Sequence, residues 1–334
     1  MQIWREPTDI PEDFGQTVVT IGVFDGVHRG HHSVLRQTVA AAKERGLKSV
    51  ALTFDPHPVT VHHPDHPVQL IATLDDRLDR LASAGIDAAY VQRYTVDYSQ
   101  ASAREFIEQQ VVGDLRAAVV VVGEDARFGK GNEGDGEVLK ALGAEYHFDV
   151  ILVPDQGEVS PETGLRRFSS TRVRHALADG DVAEAAHILG RPHRLRGVVV
   201  HGFQRGRELG FPTANLKGDH LGEVPADGVY AGWLVRRVPG TKASEYLPAA
   251  ISVGTNPQFN GVERTVEAHV LGRADLNLYG EHVAIDFVER LRPMMGFESV
   301  DALTVQMDDD LRRTAEVLGV PPAGRVDPRD VTAR

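Results

Sequence analysis

Up to about Gly190, the hydrophobic positions form short continuous runs that alternate with stretches of helical periodicity. The runs lack the polar alternation of a half-exposed strand, so they predict strands buried on both faces, as in a parallel sheet. The predicted strands are 17–24, 49–54, 87–92, 117–123 and 149–154, and the helices between them are 33–46, 74–84, 102–112 and 136–143. This alternation predicts an α/β fold with a doubly wound parallel sheet.

Beyond Gly190 the pattern changes to short strands separated by clusters of Gly, Pro and Asn, with no convincing helix between them. The predicted strands are 194–202, 228–237, 246–255, 264–272 and 282–291. Such spacing is typical of an antiparallel β-barrel or sandwich. A terminal helix is predicted over 299–319, and the tail after about Pro321 is expected to be frayed. The change of pattern divides the chain into predicted domains 1–187 and 188–334.

The composition is that of a folded protein, with 42% hydrophobic and 25% charged residues among 334. Cysteine is absent, which excludes disulfides, thiolate nucleophiles and iron–sulfur clusters. The net charge of −12 argues against a nucleic-acid partner, although a few local donors can hold a small phosphorylated ligand. No run approaches the roughly 18–20 apolar residues of a membrane span, and the start has no apolar signal core. We therefore expect a cytoplasmic protein without a membrane partner.

The first candidate site is the segment FDGVHRGHH, which follows strand 17–24 and opens a helix. It places His28 and His31 at the carboxyl end of a parallel strand, where open α/β sheets bind ligands, and at a helix start, which attracts anions. Gly30 between them leaves room for a ligand to approach the backbone. The pattern favours two imidazoles that donate to nucleotide phosphates during in-line displacement. Two alternatives stay open, namely ordinary turn and surface histidines or a metal site, although the spacing lacks H-E-x-x-H.

A second anion-binding site is predicted in RRFSSTRVRHAL, residues 166–177. Ser169, Ser170 and Thr171 precede a helix that they can cap, and Arg167 and Arg172 flank the same end. Capping alone would explain the hydroxyls, whereas capping with two arginines indicates a phosphate site. In TFDPHP, Asp55 ends the second strand on the same sheet edge as His28, so it lines the site or simply makes a turn.

Two glycine patterns in the first half are misleading. Residues 129–136 contain a literal G-x-G-x-x-G, but they do not open a helix directly after a strand, as the dinucleotide fingerprint requires. Residues 123–131 resemble a P-loop, yet their spacing is too long and Gly131 stands where a hydroxyl must reach magnesium. Neither segment predicts a nucleotide site.

The second half offers a different constellation in GVVVHGFQRGRELGFPTANL, residues 197–216. Gly202, Gly206 and Gly210 suit a flap that closes over phosphates with its backbone N–H groups. In extended chain Thr213 and Asn215 project from one face, and their hydroxyl and amide oxygens are hard ligands suited to Mg²⁺ carrying nucleotide phosphates.

A carboxylate on the strand RTVEAHVLG completes this constellation. The alternation places Thr265, Glu267 and His269 together on the face opposite the core. Glu267 is thus a carboxylate on rigid backbone that can accept a proton from an attacking hydroxyl. A solvated barrel-face residue is the alternative on spacing alone.

Together, TIGVFDGVHRGH, TFDPHP, FSSTRVR, GxxxGRELGFPTANL, RTVEAHVL and FVERLR resemble the prokaryotic bifunctional riboflavin kinase/FAD synthetase family over about residues 15–330. The resemblance implies an N-terminal Rossmann-like nucleotidylyltransferase domain and a C-terminal riboflavin kinase-like β-barrel with a terminal helix. The first would adenylylate FMN with ATP to FAD, and the second would phosphorylate riboflavin with ATP.

The resemblance also implies roles for residues at matching motif positions. His28 and His31 match the adenylyltransferase histidines, and Glu267 matches the kinase base. Thr213 and Asn215 match the positions for Mg²⁺ and ATP. The residues expected at nucleotide or flavin are Asp55, Asp125, Arg167, Ser170, Thr171, Arg172, Gly202, Gly206, Arg207 and Gly210.

Two other readings remain. One is an enzyme with a single working half, which would accumulate FMN without FAD. The other is a flavin-binding regulator or oxidoreductase, which would be yellow and would not consume ATP. The oligomeric state is left open.

Overall fold

The computed structural model describes residues 1–66, 68–160, 164–201, 210–217, 221–238, 240–241, 243–255 and 264–330. The chain forms two compact units, one made of residues 1–70 and 74–170 and the other of residues 71–73 and 171–334. None of the helices in the described part combines the length and apolar character that a bilayer span demands.

The first unit is built on a six-stranded parallel sheet in the order β1-β4-β3-β2-β5-β6. Its strands are β1 (Gln2–Trp4), β2 (Thr17–Ile21), β3 (Lys48–Asp55), β4 (Ala88–Arg93), β5 (Ala117–Gly123) and β6 (Asp149–Val153). The chain runs from β2 outward through β3 to β4 and then returns to β5 on the other side of β2. The topological switch point, where open sheets of this kind bind ligands, therefore lies between β2 and β5.

Helices cover both faces of this sheet, which confirms the predicted doubly wound α/β fold. They are α1 (Arg29–Arg45), α2 (Pro58–His62), α3 (Leu74–Ser83), α4 (Ala103–Phe106), continued as a π-helix over Ile107–Asp114, and α5 (Gly136–Tyr146). Within β5, Val120 packs with Phe106 and Leu139 on one face, and Val119 packs with Ala41 of α1 on the other. Burial on both faces explains why the predicted strands read as continuous apolar runs.

Strand β1, helix α2 and a small hairpin of this unit were not predicted from the sequence. Strand β1 has only three residues, too few to show a period, although it buries Trp4 at the sheet edge. A small antiparallel hairpin of β7 (Gly157–Ser160) and β8 (Gly164–Arg167) follows β6. Its cross-strand pair Val159 and Leu165 is exposed, so no buried face produces a hydrophobic pattern.

The second unit contains a closed six-stranded barrel in the order β10-β13-β12-β11-β14-β9, with every pair antiparallel. Its strands are β9 (His193–Val200), β10 (Ala214–Lys217), β11 (Gly228–Arg237), β12 (Ser244–Thr255), β13 (Arg264–Val270) and β14 (His282–Pro293). Helices α6 (Ser170–Asp179) and α7 (Val182–Leu189) precede the barrel, and α8 (Val300–Leu318) follows it. The barrel and the terminal helix confirm the predictions for this half.

The chain after α8 is not frayed, contrary to the prediction. Gly319 ends the helix in a left-handed conformation, and Val320 and Ala323 then pack against a cluster that contains Phe211. Val326 donates its backbone N–H to the carbonyl oxygen of Gly210 at 3.0 Å. The tail docks irregularly, through single side chains and a backbone hydrogen bond, so its order leaves no periodic pattern in the sequence.

Candidate active sites

The first candidate site is the turn between β2 and α1, at the switch point of the parallel sheet. His28 caps α1, and its Nδ1 accepts a hydrogen bond from the backbone N–H of His31 at 3.4 Å. The two imidazoles stack, with centroids 3.7 Å apart and an interplanar angle of 22°. The structure thus brings both predicted histidines together at a helix N-terminus, where free N–H groups and the helix dipole favour an anion.

Gly30 lines the cavity beside the histidines and also makes room for the His28 ring. A Cβ at Gly30 would lie 3.1 Å from the His28 ring and 3.2 Å from the carbonyl oxygen of Phe168. The glycine therefore makes room for the His28 ring at the first helical turn.

The loop before α1 is strained and buried. Phe24 and Val27 have φ angles of 54° and 39°, which are uncommon for residues other than glycine. Both side chains are buried among hydrophobic residues of the same unit. Strain of this kind costs on the order of 1–3 kcal/mol per residue and persists only where the surroundings hold it, typically at functional sites.

Arg77 of α3 holds this loop and was missed by the sequence analysis. Its side chain is only 2% exposed, and Nη1 donates to the carbonyl oxygens of Val23 at 2.7 Å and of Phe54 at 3.0 Å. Its Nη2 lies 3.9 Å from Oδ1 of Asp55. Burial lowers the pKa of Arg77, and the charges of Asp25 and Asp55 oppose that shift. A buried cation thus ties the ends of β2 and β3 together beside the histidines.

A second cation lies where β5 and β6 end. Arg167 donates from Nη1 to Asp155 at 2.8 Å and to Asp125 at 3.3 Å, and half of its side chain is exposed. These carboxylates, that of Asp155 first, raise the pKa of Arg167. The structure therefore brings Arg167 and Asp125 together, as an ion pair that an anionic ligand would have to share or displace.

The residues of the predicted anion-binding site around residue 170 belong to two different units of the structure. Ser170, the last residue of the first unit, donates its hydroxyl to the carbonyl oxygen of Asp25 in the strained loop at 2.9 Å. Thr171 and Arg172 belong to the second unit. There Arg172 forms charge-assisted hydrogen bonds to Glu184 of α7, through Nε at 2.8 Å and through Nη2. Its guanidinium is engaged in this ion pair, which sequence spacing did not reveal.

A cavity of about 450 Å³ opens beside the paired histidines, entirely within the first unit. His28, Gly30 and His31 line one part of it, and Phe54, Tyr94, Tyr98 and Phe128 line another. The ring centroids of Phe54 and Tyr94 are 5.7 Å apart, and those of Tyr94 and Tyr98 are 5.5 Å apart. Its size and mixed lining are those of a site for a planar aromatic ligand with a polar end. The sequence feature that could have pointed to this cavity is the pair Tyr94 and Tyr98 after β4, which follows no helical or strand periodicity.

The second candidate site joins β10 and β13 of the barrel. Asn215 and Glu267 are directly paired across these strands, and Thr213 stands just before β10. The Thr213 hydroxyl donates to Oε2 of Glu267 at 3.2 Å, and Nδ2 of Asn215 donates to the carbonyl and hydroxyl oxygens of Thr213 at 3.4 Å. The three predicted residues therefore lie next to one another in the structure.

Glu267 is partly buried and not a solvated surface residue. Burial raises the pKa of its carboxyl above the ordinary value, and the Thr213 hydrogen bond opposes that shift. A carboxylate with a raised pKa on a rigid strand is suited to accept a proton near neutral pH.

His269, two residues further along β13, is 4% exposed. Its Nδ1 donates to the carbonyl oxygen of Pro212 at 2.8 Å, and its ring meets Phe211 edge-on at 5.6 Å. Burial lowers the pKa of His269 and so favours the neutral ring. The sequence placed His269 beside Glu267 but did not show that it holds the segment before Thr213.

Of the predicted flap residues, Gly210 is described, with a φ of +87° that favours glycine. Gly202, Gly206 and Arg207 lie outside the described residues. Within the part of the chain that the structure describes, no three His, Cys, Asp or Glu side chains form a group that could hold a metal ion.

Comparisons with known proteins match the two halves of the chain to two different families. The FAD synthetase family profile matches residues 10–172, and the riboflavin kinase profile matches residues 189–318. The bifunctional riboflavin kinase/FMN adenylyltransferase of Escherichia coli K12 is 36% identical over 303 residues, covering 91% of this chain and 93% of that protein. The protein of the same name from Listeria monocytogenes is 35% identical over 299 residues, covering 89% and 91%.

The fold of the whole chain is also found in a solved structure. A crystal structure described as a macrolide-efflux protein from Streptococcus pneumoniae superposes with a TM-score of 0.82 at 33% identity, covering 93% of this chain and 97% of that one.

Proposed function

We propose a set of residue roles from the premise that this chain belongs to the family of bifunctional riboflavin kinase/FMN adenylyltransferases. Its C-terminal domain phosphorylates riboflavin with ATP to FMN, and its N-terminal domain adenylylates FMN with ATP to FAD and pyrophosphate. ATP is a substrate of both reactions, and flavins are substrates and products. The residues that perform each step are the subject of the proposal.

In the kinase reaction Glu267 acts as the general base. It takes the proton of the riboflavin 5′-hydroxyl as that oxygen forms a bond to the γ-phosphorus of ATP and the bond to the β-phosphate oxygen breaks. The contact of Thr213 with Glu267 carries this proposal, because it holds one carboxylate oxygen at a defined place beside two further polar side chains. Burial raises the pKa of Glu267, which makes its carboxylate a stronger base.

Mg²⁺ fits the donors of this site. Mg²⁺ prefers hard oxygen ligands, keeps several waters and usually takes one or two protein ligands together with substrate phosphates. The hydroxyl oxygen of Thr213 and the amide oxygen of Asn215 are donors of this kind, next to the Glu267 carboxylate. When bound, the ion would supply charge neutralisation at the ATP phosphates. Thr213 and Asn215 are the residues that would hold it.

In the adenylyltransferase reaction His28 and His31 contact the phosphates of ATP. An oxygen of the FMN phosphate bonds to the α-phosphorus, and the bond to the β-phosphate oxygen breaks to release pyrophosphate. No side-chain nucleophile is needed, so the imidazoles serve to stabilise charge on the α-phosphate of the transferred adenylyl group and on the departing pyrophosphate. Their stacking at the start of α1 supports this role.

The aromatic part of the cavity in the first unit holds the isoalloxazine ring of FMN. Phe54, Tyr94 and Tyr98 offer edges and faces to a planar ring, and the histidines lie where the phosphate end of the ligand is needed. Asp125, which lines this cavity, and Arg167, which pairs with it, contact the nucleotide, as does Ser170. Asp55 acts through Arg77.

Several predictions remain part of the proposal. These are nucleotide contacts for Thr171, Arg172, Gly202, Gly206, Arg207 and Gly210, a boundary between the two activities at 187/188, a cytoplasmic location and the absence of a nucleic-acid partner.

A product assay tests the proposal. Purified protein is given riboflavin, ATP and Mg²⁺, and FMN and FAD are separated over time; FMN with ATP is supplied in a second reaction. We expect FMN to appear first and FAD to follow, with Glu267→Gln removing only the first step and His28→Ala with His31→Ala removing only the second. Loss of both steps in a folded single-site variant would refute the assignment.

A further inference from the structure

The C-terminal tail, residues 320–327, docks against the segment that carries Thr213. Val326 donates its backbone N–H to the Gly210 carbonyl oxygen at 3.0 Å. A Cβ at Gly210 would lie 2.4 Å from the carbonyl oxygen of Val326, so the two backbones are in close contact. The riboflavin kinase profile ends at residue 318, before this tail begins.

A second contact anchors the tail to the barrel. Val320 and Ala323 pack against a hydrophobic cluster that includes Phe211 and Leu271. A Cβ at Gly272, just beyond β13, would lie 3.0 Å from the Cβ of Ala323, so the tail also lies close to the chain that follows β13. The tail thus touches both Gly210–Phe211 and the end of the strand that carries Glu267.

His269 of β13 also holds this segment. Its Nδ1 donates to the carbonyl oxygen of Pro212, and its ring contacts Phe211. Between Gly210 and Thr213, therefore, one carbonyl is bonded to the tail and another to β13. Thr213, the residue directly after Pro212, donates its hydroxyl to Glu267.

We propose that the tail positions the Gly210–Thr213 segment for the kinase reaction, together with His269, so that Thr213 is held in place before ATP binds. The tail is a positioning element and touches neither substrate. Without it, ATP has to order the segment on binding, and this raises KM for ATP more than it lowers kcat. The inference rests on the proposed role of Thr213 at ATP.

Two full-length variants release the tail at separate points. Val326→Pro removes the N–H donor, and Val326→Ala keeps it as a matched control. Ala323→Asp places a charge in the hydrophobic cluster, and Gly324→Asp places the same charge at the neighbouring exposed position, where no atom lies within 4 Å of an added Cβ. FMN adenylylation by each preparation is measured alongside the kinase reaction.

We expect Val326→Pro and Ala323→Asp each to raise the kinase KM for ATP about threefold to tenfold, as loss of one net hydrogen bond or packing contact predicts. The kinase kcat changes less, and both controls and all adenylylation rates stay at wild-type values. Hydrogen exchange at the amides of Phe211, Thr213 and Ala214 becomes faster in the two release variants.

An unchanged KM for ATP in both release variants would overturn the proposal, as would a fall in kcat at constant KM, which marks a role in barrel stability alone. Thr213→Val in the same assay separates this inference from its premise. If Thr213→Val raises KM for ATP and the release variants do not, only the tail inference fails. If Thr213→Val also leaves KM unchanged, the proposed role of Thr213 fails.

Discussion

The hydroxyl of Thr213 donates to Oε2 of Glu267 at 3.2 Å, although the two residues are 54 positions apart in the chain. The antiparallel pairing of β10 with β13 produces this contact, since Asn215 stands directly opposite Glu267 and Thr213 lies two residues earlier. The hydrogen bond stabilises the charged form of the carboxylate, while burial acts in the opposite direction. The balance of these two effects determines when Glu267 can accept a proton.

Replacing Glu267 by Gln should lower the riboflavin kinase kcat by about 10²–10⁴, the usual contribution of a general base. FMN adenylylation should be unchanged, because Glu267 belongs to the other unit. The variant should also gain about 0.5–2 kcal/mol in free energy of unfolding at neutral pH, since it removes a partly buried charge. Its unfolding temperature should therefore be higher. Glu289→Gln, on the exposed side of β14, is the control. Equal kinase activity in the Glu267 and Glu289 variants would refute the role of Glu267.

The pH profile of the kinase should respond to Thr213. Because burial raises the pKa of Glu267, the acid limb of kcat/KM should lie above the ordinary range of a glutamate, with the rate rising as pH increases. Thr213→Val removes the hydrogen bond that favours the carboxylate, so the limb should shift to still higher pH. Thr213→Ser keeps the hydroxyl and should restore the wild-type limb. If the acid limb lies at the same pH in Thr213→Val and Thr213→Ser, the hydrogen bond has no effect on the pKa of Glu267.

The histidine pair should act only on adenylylation. We expect His28→Ala and His31→Ala to lower kcat for FAD formation by about 10²–10³ each, as loss of a charge-stabilising donor does. The double variant should lose less than the product of the two single effects, because the stacked rings position each other. His63→Ala, at an exposed position of the same histidine-rich stretch, is the control. Riboflavin phosphorylation by the same samples measures whether the second unit remains intact.

Arg77 should be required for FAD formation without touching either substrate. Arg77→Met removes charged hydrogen bonds to the carbonyls of Val23 and Phe54, which should lower kcat/KM for adenylylation by about 10- to 100-fold. Arg77→Lys keeps the charge but not the fork of donors and should recover part of the rate. The kinase reaction is the internal control. Full adenylylation activity in Arg77→Met would show that the strained loop holds its shape without this side chain.

The order of strands and helices could be predicted from the sequence because burial determines the local pattern. Strands buried on both faces read as apolar runs, and β5 was predicted with its observed limits, 117–123. The candidate residues around His28 and Glu267 were recognisable because motif and strand alternation place them at a helix start and on one strand face. Short or one-sided pieces such as β1 and the β7–β8 hairpin left no such pattern.

Long-range pairings decided the rest. Arg77 reads as a surface residue of an amphipathic helix, and only the packing of α3 under the ends of β2 and β3 makes it a buried cation. The pairing of Arg172 with Glu184 has no signal in the sequence spacing. The tail reads as frayed, yet Val326 binds Gly210. Sequence determined the local elements and the chemistry each could offer, because periodicity reports burial within one element. Tertiary structure decided which side chains share a charge or a hydrogen bond, because those partners are distant in the chain and leave no periodic trace.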